Sequence, residues 1–115
     1  MLQAVIEPIS NREDWIEVCE VRDYESNELV DLTGAAIVMA VRDKTSKVQV
    51  LNASTDDGTI IIQGLGTFRW QFPLSSMRGI AVSRSYEVGC TIQLNGGPTQ
   101  QFFIGTVNVL DGIVP

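Results

Sequence analysis

Seven consecutive apolar residues, 35–41, form the stretch that most constrains how this 115-residue chain can fold. The run is long enough for a buried β-strand and far too short to cross a membrane. Immediately before it, Asp31 and Thr33 can hydrogen-bond to nearby backbone, and Gly34 can adopt a positive φ. The sequence therefore predicts a corner that leads into a central, buried strand.

The same run predicts a strand that is covered on both of its faces. We place Ile37 and Met39 on one face and Val38 and Val41 near the other. The earlier segment 13–22 mixes β-forming residues with charges at short intervals, which suits a strand with one wet face. A polar connection joins the two segments, so we expect them to form an antiparallel pair.

Short apolar segments continue along the rest of the chain, separated by turns rich in glycine and asparagine. The further predicted strands are residues 2–9, 48–51, 59–63, 67–72, 85–94 and 99–109. Residues 73–79 have the potential for one helical turn ending at Gly79, and Asn95-Gly-Gly-Pro98 predicts a hairpin. We predict an all-β protein: one domain, residues 1–115, folded as a single antiparallel β-sandwich of immunoglobulin-like or jelly-roll-like type with at most one short helical turn.

Period-two alternation predicts which side chains face the core. The residues expected to point inward are Phe68, Trp70 and Phe72, then Tyr86, Val88, Cys90, Ile92 and Leu94, and finally Gly105, Val107 and Val109. If the last group is inward, Ile104 and one of Phe102 or Phe103 must face outward or cover a sheet edge.

The charge balance argues against binding to nucleic acid. Fourteen acidic residues against eight basic ones give a net charge of −6, and there is no basic run that could follow a phosphate backbone. The first residues carry no cationic segment and reach Glu7 and Pro8 before an apolar region can develop, so we expect no export signal and no membrane insertion. We expect the chain to fold where it is made.

The two cysteines, Cys19 and Cys90, lie within apolar alternating segments. An immunoglobulin-type bridge would require a tryptophan soon after the first cysteine and a tyrosine two residues before the second. Here the next tryptophan is Trp70, and Tyr86 precedes its cysteine by four residues. We therefore predict buried free thiols, with a disulfide as the alternative.

No residue pattern indicates catalysis or metal binding. The chain has no histidine, so a serine or cysteine nucleophile lacks its commonest general base. Asp56 and Asp57 lack the spaced oxygen ligands of a calcium loop, and Asn52-Ala-Ser54 is a glycosylation acceptor only if the chain is secreted. The carboxylates that could be proposed as a hydrolytic pair are Glu13, Asp14, Glu17 and Glu20. We interpret them as solvated surface charges and predict no enzymatic activity, no catalytic residue, no cofactor and no metal site.

Six motifs follow one another in a recognisable order across residues 15–109. They are Asp31-Leu-Thr-Gly34 before an apolar strand closed by Val41-Arg42, Asp57-Gly-Thr-Ile60, Gly66-Thr-Phe-Arg-Trp-Gln-Phe-Pro73, the short turn 74–79, Tyr86-Glu-Val88, and Gly105-Thr-Val-Asn-Val109. In this order and spacing the chain resembles a family of small structural proteins of tailed phages, similar to the N-terminal β-sandwich domain of upper-baseplate proteins.

The resemblance implies a non-enzymatic structural component of a tailed-phage virion, assembled in the host cytoplasm. Its expected place is the tail tip or baseplate, where it docks between subunits, contacts other virion proteins and forms a symmetric homo-oligomer. One alternative is a capsid decoration or cement protein. Another is a small carbohydrate-binding sandwich for host-surface glycans, which exposed aromatic residues such as Trp15 or Phe102 would favour; a flat apolar patch would favour docking.

The outermost strands are the expected docking elements, because a sandwich has strand edges that a natural protein must cover or protect. The first segment, residues 2–9, carries Glu7 as its one charge, and the final segment, residues 102–114, carries Asp111. Such lightly charged segments suit contact with a neighbouring subunit. We therefore predict docking through both terminal segments.

Overall fold

The computed structural model describes residues 2–5, 9–23, 25–81 and 84–110, with the backbone alone for residues 2–5. The regular structure in these ranges is nearly all β, with 58% of residues in strands and 4% in a helix, which confirms the predicted all-β class. The elements in chain order are β1 Leu2–Val5, β2 Ile9–Ser10, β3 Trp15–Glu20, β4 Ala36–Asp43, β5 Gln49–Ser54, β6 Ile60–Gly64, β7 Thr67–Phe72, α1 Leu74–Met77, β8 Arg84–Gln93 and β9 Thr99–Leu110.

The strands form two sheets that pack as a sandwich. The large sheet has the order β1-β9-β8-β4-β5, with β2 also paired to β9, and the small sheet has the order β3-β7-β6. In immunoglobulin terms β3, β7 and β6 correspond to strands B, E and D, and β9, β8 and β4 to G, F and C, with β5 added beside C. The predicted sandwich is confirmed, except that β1 and β2 run parallel to β9.

Aromatic packing joins the two sheets. In the small sheet, Trp15 meets Trp70 edge-on with ring centroids 5.6 Å apart and stacks against Phe72 at the same distance. Trp70 also stacks on Phe103 of the large sheet at 6.1 Å, so its indole lies between the sheets. Phe68, Trp70 and Phe72 are all at most 3% exposed, which confirms their predicted common inward face.

The corner before β4 forms as predicted. The Asp31 carboxylate accepts hydrogen bonds from the Thr33 backbone N–H at 3.0 Å and from the Thr33 hydroxyl at 2.7 Å. Gly34 has a φ of +74°, a left-handed conformation that favours glycine. These contacts direct the chain into β4, which lies inside the large sheet between β8 and β5.

The prediction that both faces of β4 are covered is wrong. Ile37, Met39 and Val41 alternate on one face and are almost fully buried, whereas Val38 on the opposite face is 49% exposed. In a two-layer sandwich each sheet has one face against the other sheet and one toward solvent. The continuous apolar run therefore forms a strand with one buried face. Its solvent face is also apolar because alanine and valine occupy it.

The predicted antiparallel pair between β3 and β4 is also wrong. β3 pairs with β7 in the small sheet, whereas β4 belongs to the large sheet. The connection between β3 and β4 is long and crosses from one sheet to the other. It is held by backbone hydrogen bonds from Val21 N–H to the Gly66 carbonyl at 2.7 Å and from Val30 N–H to the Val21 carbonyl at 3.0 Å.

The predictions for the second half of the chain are largely confirmed. The short helical turn is α1, and β8 and β9 form the predicted hairpin, with Gly96 at a φ of +76°. The inward residues are Tyr86, Val88, Cys90, Ile92, Gly105, Val107 and Val109. Leu94 was predicted to face inward as well, but it lies beyond the end of β8 and is 38% exposed.

A β-bulge in β9 decides which side chains there face outward. Cys90 pairs with Phe103 and the next residue, Thr91, pairs with Gln101, so Phe102 is the extra residue. Ile104 is 42% exposed, and Phe102 is half-buried with its ring 6.0 Å from that of Phe68. The bulge lets both phenylalanines contact the core from consecutive positions.

We predict that Ile37→Asp prevents folding, because Ile37 is fully buried and the substitution would place an unpaired charge in the core. The matched control is Val38→Asp on the same strand, whose side chain faces solvent and should cost no more than about 1 kcal/mol. Circular dichroism and thermal melting of both variants are the measurements. A soluble, cooperatively melting Ile37→Asp protein would contradict this description of the core.

Candidate docking surfaces

The aromatic side chains are committed to the core. Trp15, which the sequence left open as a possible glycan-binding residue, is 3% exposed, and Phe102 is half-buried against Phe68 and Phe103. Among the residues that the structure describes, no tryptophan, tyrosine or phenylalanine is exposed. An aromatic platform for a sugar ring is therefore absent from this part of the molecule.

Three of the four carboxylates considered for a catalytic pair serve separate structural purposes. Glu17 accepts a hydrogen bond from the Trp15 indole N–H at 3.1 Å, and Glu20 pairs with Arg22 at 2.7 Å. Asp14 accepts a hydrogen bond at 2.7 Å from the backbone N–H of Leu74, the first residue of α1. Each carboxylate thus has its own partner, and the three do not converge on one site.

The Asp56-Asp57 loop is a turn held by internal hydrogen bonds. Asp57 accepts from the backbone N–H of Thr59 at 2.9 Å and from the Thr59 hydroxyl. These two hydrogen bonds, the hydroxyl first, lower the pKa of Asp57. Within the described ranges no three histidine, cysteine, aspartate or glutamate side chains gather into a possible metal site, and no helix has the length and apolarity to cross a bilayer.

The two cysteines lie on strands of opposite sheets and both point between the layers. Cys19 is half-buried on β3, and Cys90 is fully buried on β8. Burial raises the pKa of each thiol to about 12, with Glu17 adding to the effect at Cys19 and the Cys19 thiolate adding to it at Cys90. Both groups are therefore protonated and weakly nucleophilic at neutral pH.

Tyr86 forms a tyrosine corner, which the interval between Tyr86 and Cys90 did not predict. Its hydroxyl donates a 2.6 Å hydrogen bond to the backbone carbonyl of Ala81, and its ring is buried. A tyrosine near the start of strand F that bonds to upstream backbone is an immunoglobulin-like feature, usually two residues before the cysteine. Here the interval is four, so the corner is present although the sequence signature is not.

The solvent face of the large sheet holds a shallow groove of about 390 Å³. Ala40 and Gly89 are paired in the strand register and form the floor of the groove. The floor is low because alanine has a small side chain and glycine has none. At one side, Glu87 accepts hydrogen bonds from Arg42 Nε at 3.0 Å and Lys47 Nζ at 2.7 Å. Two cations share this one carboxylate, so the cluster at the side of the groove keeps one net positive charge.

The solvent face of the small sheet carries three exposed aliphatic side chains and a cation. We use the term small-sheet face for the outward side chains of Ile16, Val18, Glu20, Ile61 and Arg69. The exposed fractions of Ile16, Val18 and Ile61 are 47%, 61% and 43%. In the sheet register Val18 pairs with Arg69, and Arg69 pairs with Ile61, so one row across the sheet carries a cation between two aliphatic side chains.

Arg69 on this face has an unsatisfied polar atom. Its Nε is shielded from water and has no hydrogen-bond partner. The other strand arginines differ, since Arg42 pairs with Glu87 and Arg84 pairs with Asp43 at 3.2 Å. A shielded N–H without an acceptor is unfavourable, by about 1–3 kcal/mol. No described carboxylate pairs with the Arg69 guanidinium, so the small-sheet face carries one unpaired cation.

Each sheet has outer strands with one unpartnered edge in the described part of the chain: β1 with β2, and β5, in the large sheet, and β3 and β6 in the small one. Neither Gln49–Ser54 nor Ile60–Gly64 contains a charged residue or a proline, the usual means of protecting an edge. We call β5 and β6 the open edges. They are one on each sheet, and they combine high β-propensity with neutral side chains.

Of the two terminal segments that we expect to dock, only the first lies at a sheet edge. The first segment contributes β1 and β2, which lie at the edge of the large sheet, while the side chains of residues 2–8 fall outside the described residues. The final segment forms β9, which has β8 on one side and β1 and β2 on the other. Where β1 and β2 pair with it, β9 is therefore not an edge. Parallel pairing of the first strands covers the last one. Residues 111–114, which include Asp111, also lie outside the described residues.

Comparison with known proteins identifies no family for this chain. No protein-family model matches the chain, and no curated protein matches it. Among solved structures, the extracellular domains 3–5 of Drosophila OTK are similar at 14% sequence identity and a TM-score of 0.35. The alignment covers 95% of this chain and 33% of that one, so the chain spans about a third of that structure's length.

Sequence reasoning missed the open edges and Arg69, although both left a signal. The absence of charges in residues 49–54 and 60–64 can be read directly. Arg69 alternates with Phe68 and Trp70, so the period that places the aromatics inside also places the arginine outside. Its lack of a partner could not be read, since that depends on which strands become neighbours.

We predict that replacing both cysteines by alanine leaves the protein folded and lowers its stability by about 1–3 kcal/mol through small cavities. The reason is that both thiols act as packing groups between the sheets. Chemical denaturation of wild type and double variant measures the difference. Wild-type melting should be unchanged by reductant, and a sharp fall in the midpoint on adding reductant would reveal a disulfide instead.

Proposed function

We propose that this chain is a non-enzymatic docking module of a tailed-phage virion, placed at the tail tip or baseplate. The location comes from the motif order that resembles upper-baseplate β-sandwich domains. Support for docking comes from the open edges β5 and β6, two neutral strands without partners in the described chain. The open edges are the observation that carries the proposal.

An open edge suits the addition of a strand from a neighbouring subunit. The unpaired N–H and C=O groups of β5 or β6 would pair with an extended segment of the partner, and the alternating side chains would give specificity. Val50 on β5 and Ile61 on β6 are exposed beside those edges and would be covered in the same contact. Such covering would also remove the aggregation risk that neutral edges carry for a free subunit.

The alternatives make different demands on the surface. A capsid decoration protein could use the same edges, so the two roles differ in the position of the chain on the particle. A glycan-binding sandwich would use exposed aromatic side chains, and the described residues present none. The surface therefore favours protein docking over sugar binding.

We predict that mass spectrometry of purified virions finds this chain as a stoichiometric component. Reconstruction of the particle should then place it at the tail tip or baseplate, in a copy number set by the local symmetry. A position on the capsid shell would favour the decoration role. Absence from mature particles would overturn the structural proposal altogether.

We predict that a lysine on an open edge reduces incorporation of the chain into particles. Asn52→Lys on β5 and Gln63→Lys on β6 add a charge to exposed positions of the edge strands, and edge lysines oppose strand addition. The matched control is Ala36→Lys, an exposed position on the internal strand β4. Quantifying tagged variants in purified particles is the measurement, with melting curves to show that each variant folds. Equal incorporation of all three would exclude docking by strand addition.

A further inference from the structure

We propose that the small-sheet face is a self-association surface, on which Arg69 of one copy binds Glu20 of a second copy across a two-fold axis. The proposal does not rest on the virion role, and it concerns a sheet face and not the open edges. The occupant is a second copy because this face contains both members of a complementary charge pair together with the apolar surface between them.

Arg69 supplies the cationic half of the contact. It is half-buried between Val18 and Ile61, its register partners on the neighbouring strands, and no described carboxylate pairs with its guanidinium. Arginine binds carboxylate through a planar fork of donors, so an incoming carboxylate is the acceptor that fits best. In a chain of net charge −6, such a cation on an apolar face is a specific recognition feature.

Glu20 supplies the anionic half from the same face. It lies at the end of β3, two residues from Val18, and its strand neighbour on β7 is Thr67. Arg22 binds its Oε1 at 2.7 Å, but both side chains are about half exposed, and exposed pairs of this kind contribute little. The second oxygen, Oε2, is a further acceptor that a partner's guanidinium could use.

The register makes the face self-complementary. Because Val18 lies beside Arg69 on the adjacent strand and two residues from Glu20 on its own, a two-fold axis that pairs Arg69 with Glu20 passes close to Val18. Val18 is 61% exposed, the largest exposed fraction among the exposed large hydrophobic side chains of the described residues. Near the axis it would be covered by its own copy, between two identical ion pairs.

The experiment is sedimentation velocity on the purified 115-residue chain over a concentration series from about 10 μM to about 1 mM. Wild type should shift from monomer to dimer with rising concentration. Arg69→Glu and Glu20→Arg should each weaken the dimer by about tenfold or more, because each creates a like-charge contact. The double variant with both changes should restore the dimer, since the charges are exchanged and complementary again.

Arg78→Glu is the matched control, because it makes the same change of net charge at an exposed residue that follows α1, away from the small-sheet face. It should dimerise like wild type. Val18→Lys is a second disrupting variant in case a change at Arg69 affects folding, which circular dichroism would show. Wild type that stays monomeric throughout, or single variants that dimerise like the control, would overturn the proposal.

A double charge exchange that fails to restore a dimer lost in both single variants would also count against the Arg69–Glu20 contact. The result is separable from the virion experiment. A monomeric chain found in particles would reject self-association and keep the docking role. A chain that dimerises but is absent from particles would keep self-association and reject the docking role.

Discussion

The stacking of Trp70 on Phe103 is the contact on which the rest of the structure depends. Each sheet alone is too thin to bury an apolar face, and these two rings join the small sheet to the large one. The indole N–H of Trp70 is buried without an acceptor, which is unfavourable by about 1–3 kcal/mol. Burying a ring of this size outweighs that penalty, since large aromatic side chains dominate core energetics.

With every described aromatic side chain inside or partly inside, the surface presents charged, polar and aliphatic side chains to a partner. The charges are arranged differently on the two solvent faces. On the large sheet, Glu87 binds both Arg42 and Lys47, and the groove floor is formed by Ala40 and Gly89. On the small sheet, no described carboxylate pairs with Arg69. The unpaired cation of the small-sheet face and the uncharged edges are therefore the two features on which the proposed recognition rests.

Local patterns predicted the strands, the alternation within them and the corner at residues 31–34, because each depends on a few neighbouring side chains. Partner choice between strands was less predictable. The sequence suggested that β3 pairs with β4, but the chain between them crosses from one sheet to the other, with Gly66 as a contact. A Cβ at Gly66 would lie 2.8 Å from Leu29 and 3.0 Å from the Val21 carbonyl, a long-range restriction that no local pattern reveals. The pairing of Glu87 with Arg42 and Lys47, and the lack of a partner for Arg69, depend on the same assembly.

The parallel pairing of β1 with β9 has a consequence for how the molecule forms. Leu2 pairs with Phe103, so about 100 residues separate the two strands in the chain. Closing so long a segment costs conformational entropy that a two-strand contact repays only after the intervening hairpins exist. Hairpins such as β8–β9 join neighbouring segments and can form early, and we expect β1 to join after them. Until it does, the flank of β9 is a further unprotected edge.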